Sequence, residues 1–240
     1  MASRILLAVP AHDEEATVAD LVARVRRELP EYDLLVVDDG SRDRTGRILD
    51  ELGVRTARHY CNLGYGRAIQ TALKYAARSG YEGLVTLDAD GQHPPEQVRA
   101  MLEAFGAGGF DMLIGSRYVA SQRYAGAPLG RRLGMRTLSL LLSLVTGQRV
   151  YDTTSGLKAM RRVVFAPLIR GQFLDFHAEA LVYLMRLGYR VGEFPIAMPE
   201  RLHGQSMYGL VSALEYPLKT LLLLVLGLTQ ASLARREARR

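Results

Sequence analysis

Short apolar runs with no polar alternation punctuate the chain, and each ends on acidic or small polar residues. Residues 5–9, 34–37, 84–87 and 112–114 are such runs. They lead into His12-Asp13-Glu14-Glu15, Asp38-Asp39-Gly40-Ser41, Asp88-Ala89-Asp90 and Gly115-Ser116-Arg117. A bounded run of this kind reads as a strand buried on both faces. Between the runs the period changes. Residues 13–29 place Val18, Leu21, Val22, Val25 and Leu29 on one helical face. Residues 95–105 do the same with Val98, Met101, Leu102 and Phe105. After Asn62-Leu63-Gly64-Tyr65-Gly66, so do Ile69, Ala72, Leu73 and Ala76. Residues 54–58 add a further short strand. Alternating strand and helix bury these faces as a mostly parallel, Rossmann-like α/β sheet with helices on both faces. Right-handed crossovers then bring the loops after the strands to one edge.

That edge is rich in carboxylates. Asp88 and Asp90 stand one residue apart at a strand end. Two carboxylates this close repel unless a positive charge lies between them. Mg²⁺ or Mn²⁺ meets the need, since such ions take one or two carboxylates together with phosphate oxygens. Asp-Ala-Asp-Gly is also good turn chemistry, but acids recurring at successive strand ends favour a site. The glycine-rich turn at 62–66 is not Gly-x-Gly-x-x-Gly, and there is no Walker lysine motif, so a dinucleotide site is not expected.

The second half changes character. The net charge of +6 is unevenly placed, for residues 112–174 hold nine arginines and one lysine against a single acid, Asp152. Such a block suits an anionic partner, either phosphate or a membrane surface. Nucleic acid is not expected, because aromatic residues there are few and no nucleic-acid-binding motif is present. The single cysteine, Cys61, excludes an internal disulfide and fits a reducing compartment. Residues 1–9 do not read as a signal peptide. Residues 133–145 are leucine-rich and too short to span a bilayer, so they read as a core or membrane-interface helix. Residues 152–158 read as a polar loop, 161–169 and 178–187 as helices, 190–197 as a strand and 201–208 as a loop. Residues 218–228 are leucine-rich and interrupted by Lys219, and a basic tail follows from Arg235 to Arg240. These suggest an amphipathic helix lying on a membrane, its tail facing anionic headgroups.

Taken in order, Pro10-Ala11-His12-Asp13-Glu14-Glu15, Asp38-Asp39-Gly40-Ser41, Asp88-Ala89-Asp90-Gly91-Gln92-His93 and Gly115-Ser116-Arg117 resemble the family 2 glycosyltransferases of the GT-A fold. Asp152-Thr153-Thr154-Ser155-Gly156-Leu157-Lys158 and Gly204-Gln205-Ser206 are similar to motifs of the dolichol- and polyprenyl-phosphate sugar transferases, the mannosyltransferases above all. The resemblance covers about residues 4–208 and implies a catalytic domain over 1–208. Residues 1–118 would take the nucleotide sugar and 119–208 the acceptor, with 209–240 as a membrane-associated helix and tail.

The resemblance also implies roles. Pro10, His12, Glu14 and Asp39 would line the nucleoside pocket. Asp88, Asp90 and Gln92 would hold Mg²⁺ or Mn²⁺ on the donor diphosphate, with Ala89 beside them. Arg117 and Arg131 would grip the acceptor lipid phosphate, and with Asp90 form the catalytic set. Arg201 and the loop to Ser206 would close over the donor, and residues 152–155 would shape the acceptor side. The donor would be GDP-mannose or a UDP-sugar and the acceptor a polyprenyl or dolichyl phosphate. The enzyme would sit at the cytoplasmic face of the membrane, peripherally or monotopically, and a homo-oligomer is compatible with the family. Two departures stand out. His12 replaces a common aromatic residue, and Met207 replaces a lysine. A hydroxyl acceptor would instead need a carboxylate base, for which Asp175 and Glu179 are the candidates.

Overall fold

The structure is a computed structural model, and it describes residues 4–89, 95–119, 129–173, 176–197 and 210–237. Within the helices it leaves out the side chains of 129–136, 138 and 210–220. The first half follows the alternation in the sequence. The elements are β1 (Ile5–Ala11), α1 (Val18–Glu28), β2 (Asp33–Asp38), α2 (Thr45–Glu51), β3 (Arg55–Arg58), α3 (Tyr65–Arg78), β4 (Gly83–Thr86), α4 (Pro95–Gly108) and β5 (Met112–Ser116). Then come α5 (Leu129–Thr146), β6 (Lys158–Arg161), α6 (Phe165–Arg170), α7 (Ala178–Leu187), β7 (Val191–Pro195) and α8 (Leu210–Glu237).

The strands form a seven-stranded sheet in the order β3-β2-β1-β4-β6-β5-β7. Its apolar runs lack polar alternation because both faces are covered. Leu6, Ala8, Leu35, Val37, Leu84, Met112 and Ile114 enter one core, shared with α3, α6 and α7. Leu7, Val9, Val36, Val85 and Leu113 enter the other, shared with α1 and α4.

The sheet is mostly parallel, as the sequence implied, and β6 is the strand that lies antiparallel, between β4 and β5. Expectations for three elements change. Sequence reading placed the first residue of β6 in a polar loop and its last in a helix, because the charged Lys158 opens a strand only four residues long. That lysine is 2% exposed. The helix expected from 161 begins only at Phe165, after a 3₁₀ turn over Arg162–Val164. The helix expected from 13 begins at Val18, since Asp13 has φ 54° and cannot continue a right-handed helix.

The last helix is longer than its apolar stretch and packs on α7. Leu223, Leu224 and Ala231 are buried. At Gly227 an added Cβ would lie 2.8 Å from the Glu179 carbonyl and 3.1 Å from Val182. Helix α5 packs against both α7 and α8. Among the described residues no helix is long and apolar enough to cross a membrane.

Candidate functional site

Strand order fixes where a site can form. Strands β2 and β3 lie on one side of β1, and β4 begins the other side. The chain reverses direction of travel there, and ligands of open α/β sheets bind beyond the carboxyl ends of strands at such a switch point. Pro10 has no N–H with which to carry the β1–β4 ladder past Ala8↔Thr86. Beyond that point lie His12, Asp39 and Asp88, one after each of β1, β2 and β4.

The loops after β1 and β2 are interlocked. The Asp13 N–H donates to Ser41 Oγ at 3.1 Å, and the Asp13 carboxylate accepts from the Arg42 N–H at 2.7 Å. The Glu14 N–H donates to Thr45 Oγ1 at 2.8 Å and the Glu15 N–H to Asp43 Oδ2 at 3.0 Å. Glu15 returns the contact by accepting from Arg44 N–H and Nε. Glu14 also accepts from Thr17 Oγ1 at 2.7 Å. His12 is half-buried, and its Nδ1 has no hydrogen-bond partner among the described residues.

Asp39 is turned toward the glycine-rich turn. One carboxylate oxygen meets His59 Nδ1 at 2.6 Å and the Leu63 N–H at 2.9 Å, and the other accepts from the Gly64 N–H at 2.8 Å. His59 Nε2 lies 2.9 Å from Thr71 Oγ1 on α3. Burial pushes the Asp39 carboxyl up, but the Leu63, His59 and Gly64 donors outweigh it and hold the carboxyl below its usual range. Gly64 has φ 90°, so the turn needs a glycine. Asp39 therefore orders the start of α3. Asp38 is also buried, and it binds Arg58 Nε at 2.9 Å and the Ser41 N–H at 3.0 Å.

The loop before β6 reaches this same edge because β6 runs antiparallel. Lys158 pairs with Thr86 near the end of β4 and with Ile114 on β5, so the residues just before it lie at the carboxyl ends of both. At one end of this loop Gly156 packs on Asp88. A Cβ there would lie 2.0 Å from an Asp88 carboxylate oxygen. Thr86 Oγ1 donates to the Gly156 carbonyl at 2.5 Å and accepts from the Lys158 N–H at 3.2 Å, fixing the approach. At the other end Asp152 grips Arg117. Arg117 Nε and Nη2 meet its two oxygens at 2.6 and 2.7 Å, and Nη2 also donates to Thr154 Oγ1 at 2.8 Å. The Asp152 side chain is 0% exposed and that of Arg117 10%. Burial raises the Asp152 carboxyl, but the Arg117 guanidinium prevails and holds it well below the usual range. Glu193 of β7 accepts from the N–H groups of Tyr151 and Asp152, each at 2.8 Å, and burial pushes its carboxyl up. Lys158 Nζ donates to the Ser155 carbonyl and lies 3.2 Å from His177 Nδ1, and that ring stacks on Tyr65.

Of the residues expected from sequence, Pro10, His12, Glu14, Asp39, Asp88, Ala89 and Arg117 stand at this edge. Asp39 and Arg117 are engaged with protein partners. Arg131 lies in the first turn of α5, with its side chain outside the description. Asp90, Gln92, Arg201 and Ser206 lie outside the described residues, as do Met207 and Asp175. Glu179 is fully buried on α7, and its Oε1 accepts from Gln230 of α8 at 2.6 Å. Asp13, Thr86, Gly156 and Glu193 were not singled out from sequence. The glycine inside Ser155-Gly156-Leu157 was the one visible signal, and its reason, the Asp88 carboxylate, comes from 68 positions away.

Among the described residues no group of three or more His, Cys, Asp or Glu side chains could hold a metal ion. The donor chemistry that is described fits a hard divalent cation. Asp88 offers a carboxylate at a strand end, and such an ion fills its remaining positions with phosphate oxygens and water.

A family model described as Glycosyl transferase family 2 matches residues 7–168. The chain is 32% identical over 213 residues to the polyprenol monophosphomannose synthase of Mycolicibacterium smegmatis, covering 85% of this chain and 80% of that protein. It is 30% identical over 213 residues to the UDP-N-acetylglucosamine–dolichyl-phosphate N-acetylglucosaminyltransferase of Methanococcus voltae, covering 80% and 84%. Its fold is like that of glucosyl-3-phosphoglycerate synthase from Mycobacterium tuberculosis in complex with Mn²⁺, UDP-glucose and phosphoglyceric acid. The TM-score is 0.68 at 19% identity, over 96% of this chain and 80% of the other.

Proposed function

The chain belongs to glycosyl transferase family 2 and is a glycosyltransferase of GT-A fold, and from that premise we propose that it moves a sugar from a nucleotide sugar to a polyprenyl or dolichyl monophosphate. One observation carries this reading. The loop before β6 packs Gly156 against the Asp88 carboxylate and binds Arg117 through Asp152. This supports a reading in which a donor-side carboxylate and an acceptor-side guanidinium would meet at a single short segment. The two relatives described differ in sugar and agree on a lipid phosphate acceptor. Mannose is the first choice of sugar, in line with the name of the 32% identical relative, and GDP-mannose is the proposed donor. A UDP-sugar is the alternative, in line with the 30% identical one.

On this reading Pro10, His12 and Glu14 line the nucleoside pocket, and Asp39 shapes it through the turn at Gly64. Asp88 and Asp90, with Gln92 and beside Ala89, would hold Mg²⁺ or Mn²⁺. A bound cation would offset charge developing on the leaving diphosphate. The nucleophile is a phosphate oxygen of the lipid. It is already anionic at neutral pH, so no general base is required, and direct displacement inverts the anomeric centre. The protein's main task is to bring two phosphate groups together against their repulsion. Arginine suits it, because guanidinium pairs with phosphate bidentately. With Nε and Nη2 of Arg117 committed to Asp152, bidentate pairing with the acceptor phosphate would fall to Arg131, and Arg117 would contribute a partly compensated charge beside it. Arg201 and Ser206 would close over the donor, as the family resemblance implies.

A membrane surface is the proposed site of work, at the cytoplasmic face. Leu140 and Leu144 on α5 and Leu221, Leu222 and Val225 on α8 are exposed apolar side chains on two helices that pack together. Arg149, Arg186, Arg235 and Arg236 are exposed cations of the same helical region, suited to anionic headgroups.

The test is sugar transfer from a panel of labelled nucleotide sugars to a short polyprenyl phosphate, with Mg²⁺, with Mn²⁺ and with a chelator. Metal-dependent transfer from one donor is expected. Transfer to a hydroxyl acceptor but to no lipid phosphate overturns the proposed acceptor.

A further inference from the structure

Asp13 stands between two residues assigned to the nucleoside pocket, His12 and Glu14, and has a backbone conformation that side chains rarely adopt. Its φ of 54° is the one positive value among the described non-glycine residues. The left-handed region is unfavourable for any residue with a Cβ, although aspartate tolerates it better than most. Strain of this sort persists where the surroundings over-determine it, and it clusters at functional sites.

The surroundings here are the loop after β2. The Asp13 N–H is held by Ser41 Oγ, and Asp13 Oδ1 accepts from the N–H groups of Arg42 and Asp43 at 2.7 and 3.4 Å. Asp13 is thus both donor and acceptor to one loop, while Glu14 and Glu15 continue the same seam through Thr45 and Asp43. Directly before it, His12 Nε2 lies 3.5 Å from Asp13 Oδ2, and His12 Nδ1 is buried with no partner among the described residues. An orphaned buried polar atom carries a desolvation cost unless something binds it. In a pocket that takes a nucleoside, a polar group of the ligand is the natural partner.

We infer that Asp13 is the positioning residue of the nucleoside pocket: its left-handed backbone and its carboxylate clamp on the Arg42 and Asp43 amides set where His12 and Glu14 meet the donor. It does not touch the reacting atoms. The inference rests on the nucleotide-sugar reading above and adds to it a device on which donor recognition, and not acceptor recognition, depends.

Three substitutions separate the two parts of the device. D13N keeps an acceptor oxygen and tolerates the left-handed backbone. D13G keeps the backbone and loses the acceptor. D13A loses both. Each is assayed for donor KM, lipid-phosphate KM, kcat and thermal melting in the full chain. D13A is expected to raise the donor KM about tenfold, which is about 1.4 kcal/mol, and to leave the lipid-phosphate KM within about twofold. D13G is expected to raise the donor KM as well, and D13N to restore it. A donor KM unchanged in D13A overturns the inference. So does an equal rise in both Michaelis constants, which would mark a merely structural residue. If the wild-type chain binds no nucleotide sugar, the proposed function fails and takes the inference with it, an outcome visible before any variant is made.

Discussion

At the scale of single residues, Gly156 carries the tightest steric constraint of the site. Its missing side chain is the space that the Asp88 carboxylate occupies. G156A should displace Asp88 and lower kcat/KM at least about tenfold, some 1.4 kcal/mol, while the protein still folds. Steady-state kinetics beside a melting curve would check this. Asp152 governs a different quantity. Breaking a buried ion pair by removing one partner costs about 3–5 kcal/mol, so D152N should be destabilised by that order at pH 7. The folded-state carboxyl lies below the ordinary value of 3.8, so the pair's contribution is present above that pH and is lost as pH falls through the depressed value. The stability gap between wild type and D152N should therefore close on acidification below about pH 4, as read by denaturant unfolding across pH. Sequence alone marked Asp88 and Arg117, because strand ends followed by acids and arginines carry a chemical signature. It did not mark Gly156 as the reason Asp88 fits, since that requires two segments to meet.

At the scale of elements, β6 and α8 depart most from their sequence pattern, for opposite reasons. Lys158 made β6 look like a loop, yet the structure buries the lysine by giving its Nζ the Ser155 carbonyl and the His177 ring. A buried charge is tolerated only when paired or hydrogen-bonded. The apolar stretch of α8 reads as a membrane-facing segment, and part of it is instead a packing face. Gly227 lets the helix approach α7, and Gln230 reaches Glu179 there. G227V should force the two helices apart and cost about 1–3 kcal/mol in overpacking, measured by thermal or chemical unfolding. L221S on the exposed side of the same helix should stay within about 0.5 kcal/mol of wild type.

At the scale of the whole molecule, the basic block and the exposed leucines of α5 and α8 bear on where the enzyme works. Binding to vesicles containing anionic lipid should exceed binding to neutral vesicles and weaken with salt, because surface charge is screened beyond about 10 Å at 0.1 M ionic strength. The double variant L144S/L222S should lower that binding without changing the melting temperature. Equal binding to neutral and anionic vesicles, or none at all, would remove this face as the membrane contact.

Sequence by itself determined the alternating α/β layout, the sheet edge that gathers the candidate residues after the strands, and the family. Local periodicity and strand-end residues depend only on neighbours along the chain, and those are legible in order. The antiparallel insertion of β6, the seam joining the loops after β1 and β2, the commitment of Asp39 to His59 and Gly64, and the pairing of Arg117 with Asp152 were decided by tertiary structure. Each joins residues 20 or more positions apart. Such contacts depend on strand order and register, and residues adjacent in sequence do not encode those singly.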